Sequence, residues 1–385
     1  MLNLPSATVE KIASKIPDPT AFRSRQHRLR NRFFGLEVEA ALITHLPDIR
    51  YLCGFTGSNA LLFITGNSSA LFTDSRYAIQ APLEVGASKV RIVKKSLYLE
   101  MGARIAGDRS IHRVAFTPDQ ITFARFHLIQ RALKSAAKPA IPKIRWTPSN
   151  TLVAELRAIK DPSELATMRE AALLSSRVFE QLLPKIKPGV SELDLAAELD
   201  YLSRRAGASA PAFDTIVASG PRAALPHAHP SPKRISKNEL VVIDQGAILR
   251  GYCSDITRTV FVGKATPRIR RWYAAVLEAQ LAAIGSLAAG VETNTVDAAA
   301  RDTLKRYGLA GSFTHSTGHG LGLEVHEPPR LGRGEKSRLL LGNVVTIEPG
   351  IYFQGSGGIR IEDDVFVGEN GPQVLSNAPK EFLEL

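Results

Sequence analysis

The stretch from Leu240 to Val260 constrains this chain more than any other, because two carboxylates, Asp244 and Asp255, sit in it among apolar and glycine neighbours. Leu240-Val241-Val242-Ile243 has the pattern of a short buried strand leading into Asp244. Gly246 and the Arg250-Gly251 pair mark a return, and Tyr252 to Val260 reads as the partner strand of a hairpin-like unit. Asp244 then ends one strand and Asp255 lies within the next, so the two are expected to face each other. Two carboxylates that close in a low dielectric cannot both stay ionised without a cation between them, and a divalent metal keeps both charged. Taken alone, the pair also fits a turn-forming Asp244 and an Asp255 hydrogen-bonded or ion-paired beside Thr257 and Arg258.

Two later stretches add chemistry of the same kind. Thr317-Gly318-His319-Gly320-Leu321-Gly322-Leu323-Glu324-Val325-His326-Glu327 sets two histidines seven residues apart among glycines, which let backbone and ligand approach His319 closely. A nucleotide-binding loop is excluded by spacing, since Leu323 stands where GxGxxG needs glycine and no P-loop lysine follows. Val344-Val345-Thr346-Ile347-Glu348 and Gly358-Ile359-Arg360-Ile361-Glu362 each end a core-type run on a glutamate, unusual without a partner. Singly, a histidine after glycine is often a satisfied hydrogen-bonder and a strand glutamate is usually solvated. Jointly, two Asp, one His and two Glu make an oxygen-rich set with one imidazole, suited to Mn²⁺, Co²⁺ or Zn²⁺ rather than Mg²⁺. Five ligands with shared carboxylates fit two metals better than one.

The rest of the chain supplies the frame. Its 385 residues suit two domains, and 44% hydrophobic residues can bury ordinary cores. Short strands near 40–44, 60–64, 70–73 and 90–93 alternate with helical runs at 77–84 and 119–133 after a polar helix ending near Gly35, an α/β texture without obvious catalytic groups. The proline-containing stretch from Lys138 to Pro148 reads as the end of that domain, placing it at 1–148 and the second at 149–385. There, Asp161-Pro162-Ser163-Glu164 and Ser191-Glu192-Leu193-Asp194 open helices, two more run near 267–289 and 295–307, and Gly-rich strands close the chain. Two helices and a hairpin followed by two helices and more strands hint at a duplicated half-domain.

A net charge of +12 would suit an anionic partner, but Arg23, Arg25, Arg28, Arg30 and Arg32 fall in one segment where they spread around a helix, with no nucleic-acid-binding signature beside them. A solvated basic surface, and no nucleic-acid role, is the expectation. Two isolated cysteines, Cys53 and Cys253, form neither a disulfide framework nor a metal clip, and no signal-peptide or membrane-length apolar run is present, so a cytoplasmic protein without membrane attachment is expected.

The order Asp244, Asp255, His319, Glu348, Glu362, with the first two eleven positions apart and the last two fourteen, resembles the metallopeptidases of the pita-bread fold, nearest to Xaa-Pro aminopeptidases and Xaa-Pro dipeptidases (prolidases). The surrounding residues match too: Phe213 to Gly220 leading to Leu225-Pro226-His227, then Gly251 to Thr259, Thr317 to Gly320, Val325-His326-Glu327, Ile347 to Gly350 and Arg360 to Asp363. The likeness is strong over about residues 150–385. Asp48 to Leu52 and Phe72 to Tyr77 resemble the creatinase/prolidase-type N-terminal domain less sharply.

The resemblance implies an α/β (α+β) chain with a catalytic pita-bread domain holding two divalent ions, Mn²⁺ with Co²⁺ or Zn²⁺ as alternatives. Asp244 would hold one metal, His319 and Glu348 the other, with Asp255 and Glu362 bridging, and a water between them as nucleophile. Glu348 would shuttle the proton, His227 and His326 would hydrogen-bond the scissile carbonyl, and Arg360 would support a metal carboxylate. The implied substrate is a proline-containing peptide, and a homodimer is implied as well. Arg330 is a candidate to bind a dipeptide's carboxylate, or else a surface arginine. Metal-free interaction modules and creatinase-like amidinohydrolases share the fold but lose ligands, and all five positions are kept here. A methionine aminopeptidase is disfavoured by the extra N-terminal domain.

Overall fold

The structure, a computed structural model, describes residues 19–136 and 144–385. The chain divides into two compact units, residues 1–157 and 158–385, taken separately here.

The first unit is built on a six-stranded mixed sheet. Helix α1 (Pro19–Leu36) leads into β1 (Ala40–Ile43), α2 (Leu46–Cys53), β2 (Ala60–Thr65), β3 (Ser69–Asp74), β4 (Lys89–Val93), α3 (Leu97–Ala106), β5 (Arg113–Phe116), α4 (Phe123–Ala136) and β6 (Arg145–Pro148). The strand order is β4-β3-β2-β1-β5-β6; β2 is antiparallel to both neighbours and the other pairs are parallel. Leu42, Leu61, Phe63, Phe72, Met101, Ile105, Val114 and Ile129 pack its core. The helix expected over 77–84 is broken: Asp74 accepts the Arg76 N–H and closes a 3₁₀ turn at Ser75–Tyr77, leaving only Gln80–Glu84 helical. Helices α2 and α3, eight and ten residues long, are additions to the elements expected from the sequence. The expected solvated basic surface on α1 is corrected in part. Arg25 is buried, bonded to the Tyr51 carbonyl and stacked over its ring, Arg28 donates to the Tyr51 hydroxyl, and Arg30 and Arg32 donate to the carbonyls of Thr65, Thr151 and Leu152. These guanidiniums satisfy backbone acceptors that would otherwise be orphaned; Arg23 is exposed. Of the stretch read as the domain's end, Lys138 and Pro139 lie outside the described residues, and Trp146 to Pro148 pair as β6.

The second unit opens with α5 (Pro162–Leu182), whose start is the expected capping box: Asp161 accepts the N–H groups of Ser163 and Glu164, and the Glu164 carboxylate accepts the Asp161 N–H. Ser191 and Asp194 build the same device ahead of α6 (Glu192–Arg205). Then come β7 (Ala210–Pro211), β8 (Ile216–Ser219), β9 (Glu239–Gln245), β10 (Ala247–Leu249), β11 (Tyr252–Cys253) and β12 (Ile256–Val262). Helices α7 (Pro267–Gly285) and α8 (Thr293–Arg306) precede β13 (Gly318–Gly320), β14 (Glu327–Leu331), β15 (Val344–Ile347), β16 (Gly350–Phe353), β17 (Gly357–Arg360), β18 (Asp363–Gly368) and β19 (Gly371–Val374). Two main sheets result, β12-β9-β8 and β14-β13-β15-β18-β19, with smaller ones from β11-β10-β7 and β16-β17. Leu174, Val178, Leu195, Val241 and Ile243 pack beneath the first, and Val276, Val296, Val345, Ile347, Ile361 and Val365 beneath the second.

The expected simple hairpin around Asp244 and Asp255 is corrected. The β9–β12 ladder stops at Gln245–Ile256, and the tip folds off as β10–β11 into the sheet with β7. The bend is tight: a Cβ on Gly246 would overlap the Ser254 carbonyl, and Ser254 exchanges hydrogen bonds with Ala247. Asp244 therefore sits opposite Thr257, and Asp255 lies just ahead of β12 rather than within it.

Candidate metal centre

Alternation along β12 is what brings the first two carboxylates together. Residues paired across an antiparallel ladder share a face, and so do residues two apart. Asp244 pairs with Thr257, and Asp255 precedes Thr257 by two, so both acids lie on the Thr257 side of the β9–β12 pair. Both are buried, and one oxygen of each, Oδ1, has no hydrogen-bond partner among the described residues. The other Asp244 oxygen takes a 2.6 Å bond from Arg360 Nη2.

The second sheet contributes the remaining donors. His319 is the middle residue of β13, where glycines on both sides are required: a Cβ on Gly318 would overlap the Thr346 carbonyl and one on Gly320 the Pro328 carbonyl. The Gly-His-Gly sequence thus serves strand packing around an imidazole. His319 Nδ1 stands 3.0 Å from the Gly320 carbonyl, which can only accept, so Nδ1 carries the proton and the Nε2 lone pair is free to ligate. That nitrogen lies 3.8 Å from Asp255 and 3.6 Å from Glu348. Glu348 follows β15, with its N–H on the Thr317 carbonyl. Glu362 sits between β17 and β18, where Thr257 Oγ1 donates to it at 2.6 Å and its own N–H donates to the Thr257 carbonyl. Ligand atoms of Asp255, His319 and Glu362 lie within 4.8 Å of one another, a spacing one cation can span.

The protonation equilibria show what this crowding costs. Burial and then the charges of Glu362 and Asp244 drive Asp255 well above the usual carboxylate range, and burial with Glu348 and Asp244 does the same to Glu362. Burial pushes Glu348 up to about 7 against the pull of Arg360. Burial lowers His319 to about 4, keeping its imidazole neutral. Among the described residues, Arg360 is the guanidinium bonded to this group of acids, through Asp244, and one oxygen each of Asp244 and Asp255 lacks a partner. The fit to divalent cations follows: oxygen-rich, one imidazole, and in need of positive charge.

Arg360 is buried and gives Nε to Thr257, Nη1 to Tyr352 and the Pro226 carbonyl, and Nη2 to Asp244. Against burial, which lowers its affinity for the proton, Tyr352 and Asp244 hold it charged. His326 is exposed, its ring centred 4.3 Å from that of His319, and burial of part of its ring with the charge of His227 lowers its pKa. His227 is exposed, in the loop before β9. Arg330 is exposed on β14, directly opposite His319 in the ladder and so on the same face.

Three members of the site escape sequence reasoning. His315 bonds Tyr352 Oη at 2.8 Å and lies 4.0 Å from Glu348, with burial and then Arg360 lowering it to about 4. Tyr352 joins His315 to Arg360, and burial raises it to about 12. Asp364 accepts the Asp255 N–H at 3.1 Å, and burial drives it well above the carboxylate range. Of the three, only Asp364 had a signal, as the last of three consecutive acids.

The model of metallopeptidase family M24 matches residues 166–369, and that of the creatinase/prolidase N-terminal domain matches residues 25–159. The chain is 38% identical to an uncharacterised peptidase of Bacillus subtilis, across 93% of this chain and 99% of that protein. It is 34% identical to an Xaa-Pro dipeptidase of Pyrococcus horikoshii, across 90% and 95%. Among solved structures, an Xaa-Pro dipeptidase from Bacillus anthracis superposes with a TM-score of 0.89 at 36% identity, covering 94% of this chain and all of that one. An X-Pro aminopeptidase from Thermotoga maritima gives 0.83 at 35% identity, covering 94% and 99%.

Proposed function

The chain belongs to metallopeptidase family M24, and from that premise we infer that it is a metal-dependent exopeptidase hydrolysing the peptide bond that precedes proline. The observation that carries this is the convergence of Asp255, His319 and Glu362 beside partnerless oxygens of Asp244 and Asp255. It sets the protein apart from metal-free modules of the same fold, and from amidinohydrolases that lose these ligands.

The enzyme uses divalent metal ions. We propose two, Mn²⁺ by preference, with Asp244 on one, His319 and Glu348 on the other, and Asp255 and Glu362 shared. When bound, such ions supply charge neutralisation, Lewis-acid polarisation and acidification of water. The chain's own groups do the rest. Glu348, beside His319 and His315, is suited to accept a proton from water and return it to the departing nitrogen. His326 and His227 are suited to donate to the scissile carbonyl as negative charge develops there. Arg360 fixes Asp244 and frames Tyr352. The bond before proline is a tertiary amide with no N–H, so a site that asks for no donor there acts where ordinary peptidases lose a hydrogen bond.

Between the two exopeptidase types, the register favours a dipeptidase. Arg330 shares a face with His319, and a guanidinium meets a carboxylate in two-pronged fashion. The test is hydrolysis of Xaa-Pro against Xaa-Pro-Yaa peptides by protein stripped of metal and reloaded with Mn²⁺. Turnover of Xaa-Pro supports the reading; turnover of the longer peptides alone overturns the dipeptidase assignment, and turnover of neither overturns the function. A cytoplasmic homodimer completes the proposal, supported by two buried free cysteines and by the family likeness, and sedimentation of the purified chain tests the dimer.

A further inference from the structure

The loop that carries His227 is held by a residue remote from the metal ligands in sequence, Glu192. It is the first residue of α6, after the Ser191 cap, and its carboxylate is completely buried. One oxygen accepts from the N–H (2.8 Å) and the hydroxyl (2.9 Å) of Ser219, the last residue of β8. The other accepts from the N–H (3.1 Å) and hydroxyl (2.6 Å) of Ser231 and from Arg222 Nε (2.9 Å). Five donors therefore converge on one carboxylate, and they come from the start, the interior and the end of the segment 219–231.

Other bonds close the same segment. The first N–H groups of α6 lack intrahelical partners; here Glu192 N donates to the Lys233 carbonyl and Leu193 N to the Ser231 carbonyl. Arg222, fixed by Glu192 through Nε, sends Nη2 to the His229 carbonyl at 2.6 Å, crossing the loop on either side of His227. From the metal side, Arg360 Nη1 reaches the Pro226 carbonyl, one residue before His227. His227 itself is exposed. Its place is set by its backbone, gripped by Glu192 and Arg222 on one side and Arg360 on the other.

We propose that Glu192 is a positioning residue for catalysis, acting through Arg222 and the two serines to hold His227 where it meets the substrate carbonyl. The inference rests on the role given to His227 above. An acid needed only to start a helix could sit exposed in the first turn; one buried with five donors from a single loop shapes that loop. In a Glu192→Gln variant an amide NH₂ replaces one acceptor oxygen and meets N–H donors from Ser231 and Arg222, so that end of the loop is released. A misplacement of about 1 Å in a catalytic group costs on the order of 10²-fold.

The experiment is a double-mutant cycle on the full-length, Mn²⁺-loaded protein with an Xaa-Pro substrate, measuring E192Q, H227A and the double variant. Alongside it run metal content and hydrogen exchange of the amides between Ser219 and Ser231. The expected result is that E192Q lowers kcat/KM by roughly 10- to 100-fold at unchanged metal content, with exchange faster in that segment. In the H227A background E192Q should cost no further activity. Should E192Q misfold, Ser231→Ala and Arg222→Met remove single donors and should show smaller losses that also vanish in the H227A background. Equal losses with and without His227, or full activity in E192Q despite faster exchange, overturn the proposal. Full activity of H227A would instead overturn the role assigned to His227.

Discussion

Stripping the metal should make this protein's stability fall as the pH rises above 7. In the metal-free fold, Asp255, Glu362 and Asp364 hold protons well above the usual carboxylate range, chiefly through burial, and Glu348 titrates near 7. In the unfolded chain the same groups ionise near 4. Between these values the folded chain binds more protons than the unfolded one, so stability is present at low pH and lost as pH rises through the folded values. His315 and His319 act with the opposite sign. Their folded values, about 4, lie below the ordinary 6.5, so their contribution is present above 6.5 and lost as pH falls through 4. Above pH 7 the histidine effect is nearly exhausted, and the carboxyl groups alone set the slope.

Each carboxyl protonated in the fold and ionised when unfolded contributes about 1.4 kcal/mol per pH unit. Asp255, Glu362 and Asp364, which burial drives well above the carboxylate range, keep this loss running above pH 7 for as long as they hold their protons in the fold. For a domain the size of the catalytic unit each 1 kcal/mol is about 2–4 °C in Tm. Thermal melts of chelator-stripped protein should therefore fall between pH 7.0 and 8.5. Melts at saturating Mn²⁺ should stay nearly flat, because the loaded and unfolded forms both carry ionised carboxylates. Glu362→Gln removes one titrating group and relieves its neighbours, so the metal-free slope should shrink. A metal-free Tm that is flat or rises between pH 7.0 and 8.5, or a slope that Glu362→Gln leaves alone, refutes the reasoning.

Other perturbations separate site from scaffold. Asp255→Asn should abolish turnover while circular dichroism and Tm of the metal-free protein stay at or above wild type, since it removes a group whose ionisation the buried fold opposes; near-normal activity would argue against the shared-ligand arrangement. Arg360→Lys loses the fork joining Asp244, Tyr352, Thr257 and Pro226, and should lower metal affinity, read by competition with a chromogenic chelator, by roughly 10- to 100-fold. Arg330→Met should raise KM for Xaa-Pro with little change in kcat, as loss of a substrate-carboxylate contact; an unchanged KM would leave Arg330 without a binding role. Arg258→Met leaves Asp363 with Lys380 as its remaining cation and strips a donor from the buried carbonyls of Glu362 and Ala378, and should destabilise the protein by about 1–3 kcal/mol in urea titrations.

What could be read from the sequence was set by whether a polar residue interrupts a core pattern. Asp244 follows a run of buried aliphatics, and Glu348 and Glu362 follow buried stretches that are aliphatic except for Thr346 and Arg360, so each acid stands where a core pattern calls for an apolar residue. His319 was marked by its glycines, although their reason is strand packing rather than ligand access alone. The groups that hold these ligands gave no such mark. His315 and Tyr352 stand in ordinary loop and strand contexts, and their relation to Arg360 exists only after two sheets meet. Glu192 looked like any acid in a first helical turn, because its five donors lie between 27 and 39 residues downstream. The hairpin failed for a related reason: strand alternation runs through Gly246 without showing that the ladder breaks there and the tip joins another sheet.

The neighbours Glu362 and Asp363 show how the fold separates a carboxylate that stabilises from one that is kept for metal. Both are buried. Asp363 faces Arg258, Lys380, Gln280 and Ser376, and despite burial those two cations hold it below the usual range. Glu362, on the other side, receives one hydroxyl, from Thr257, and is driven upward by burial and by Glu348 and Asp244. If burial alone governed these groups, both would shift the same way. The difference lies in the partners: where the protein needs a stable anion it encloses it in donors, and around the site it leaves oxygens of Asp244 and Asp255 without any. A buried carboxylate cluster short of donors stays folded and charged only if cations come from outside the chain. That shortage of donors favours a metal centre over an internal ion-pair network, and the pH slope of the stripped protein tests the choice.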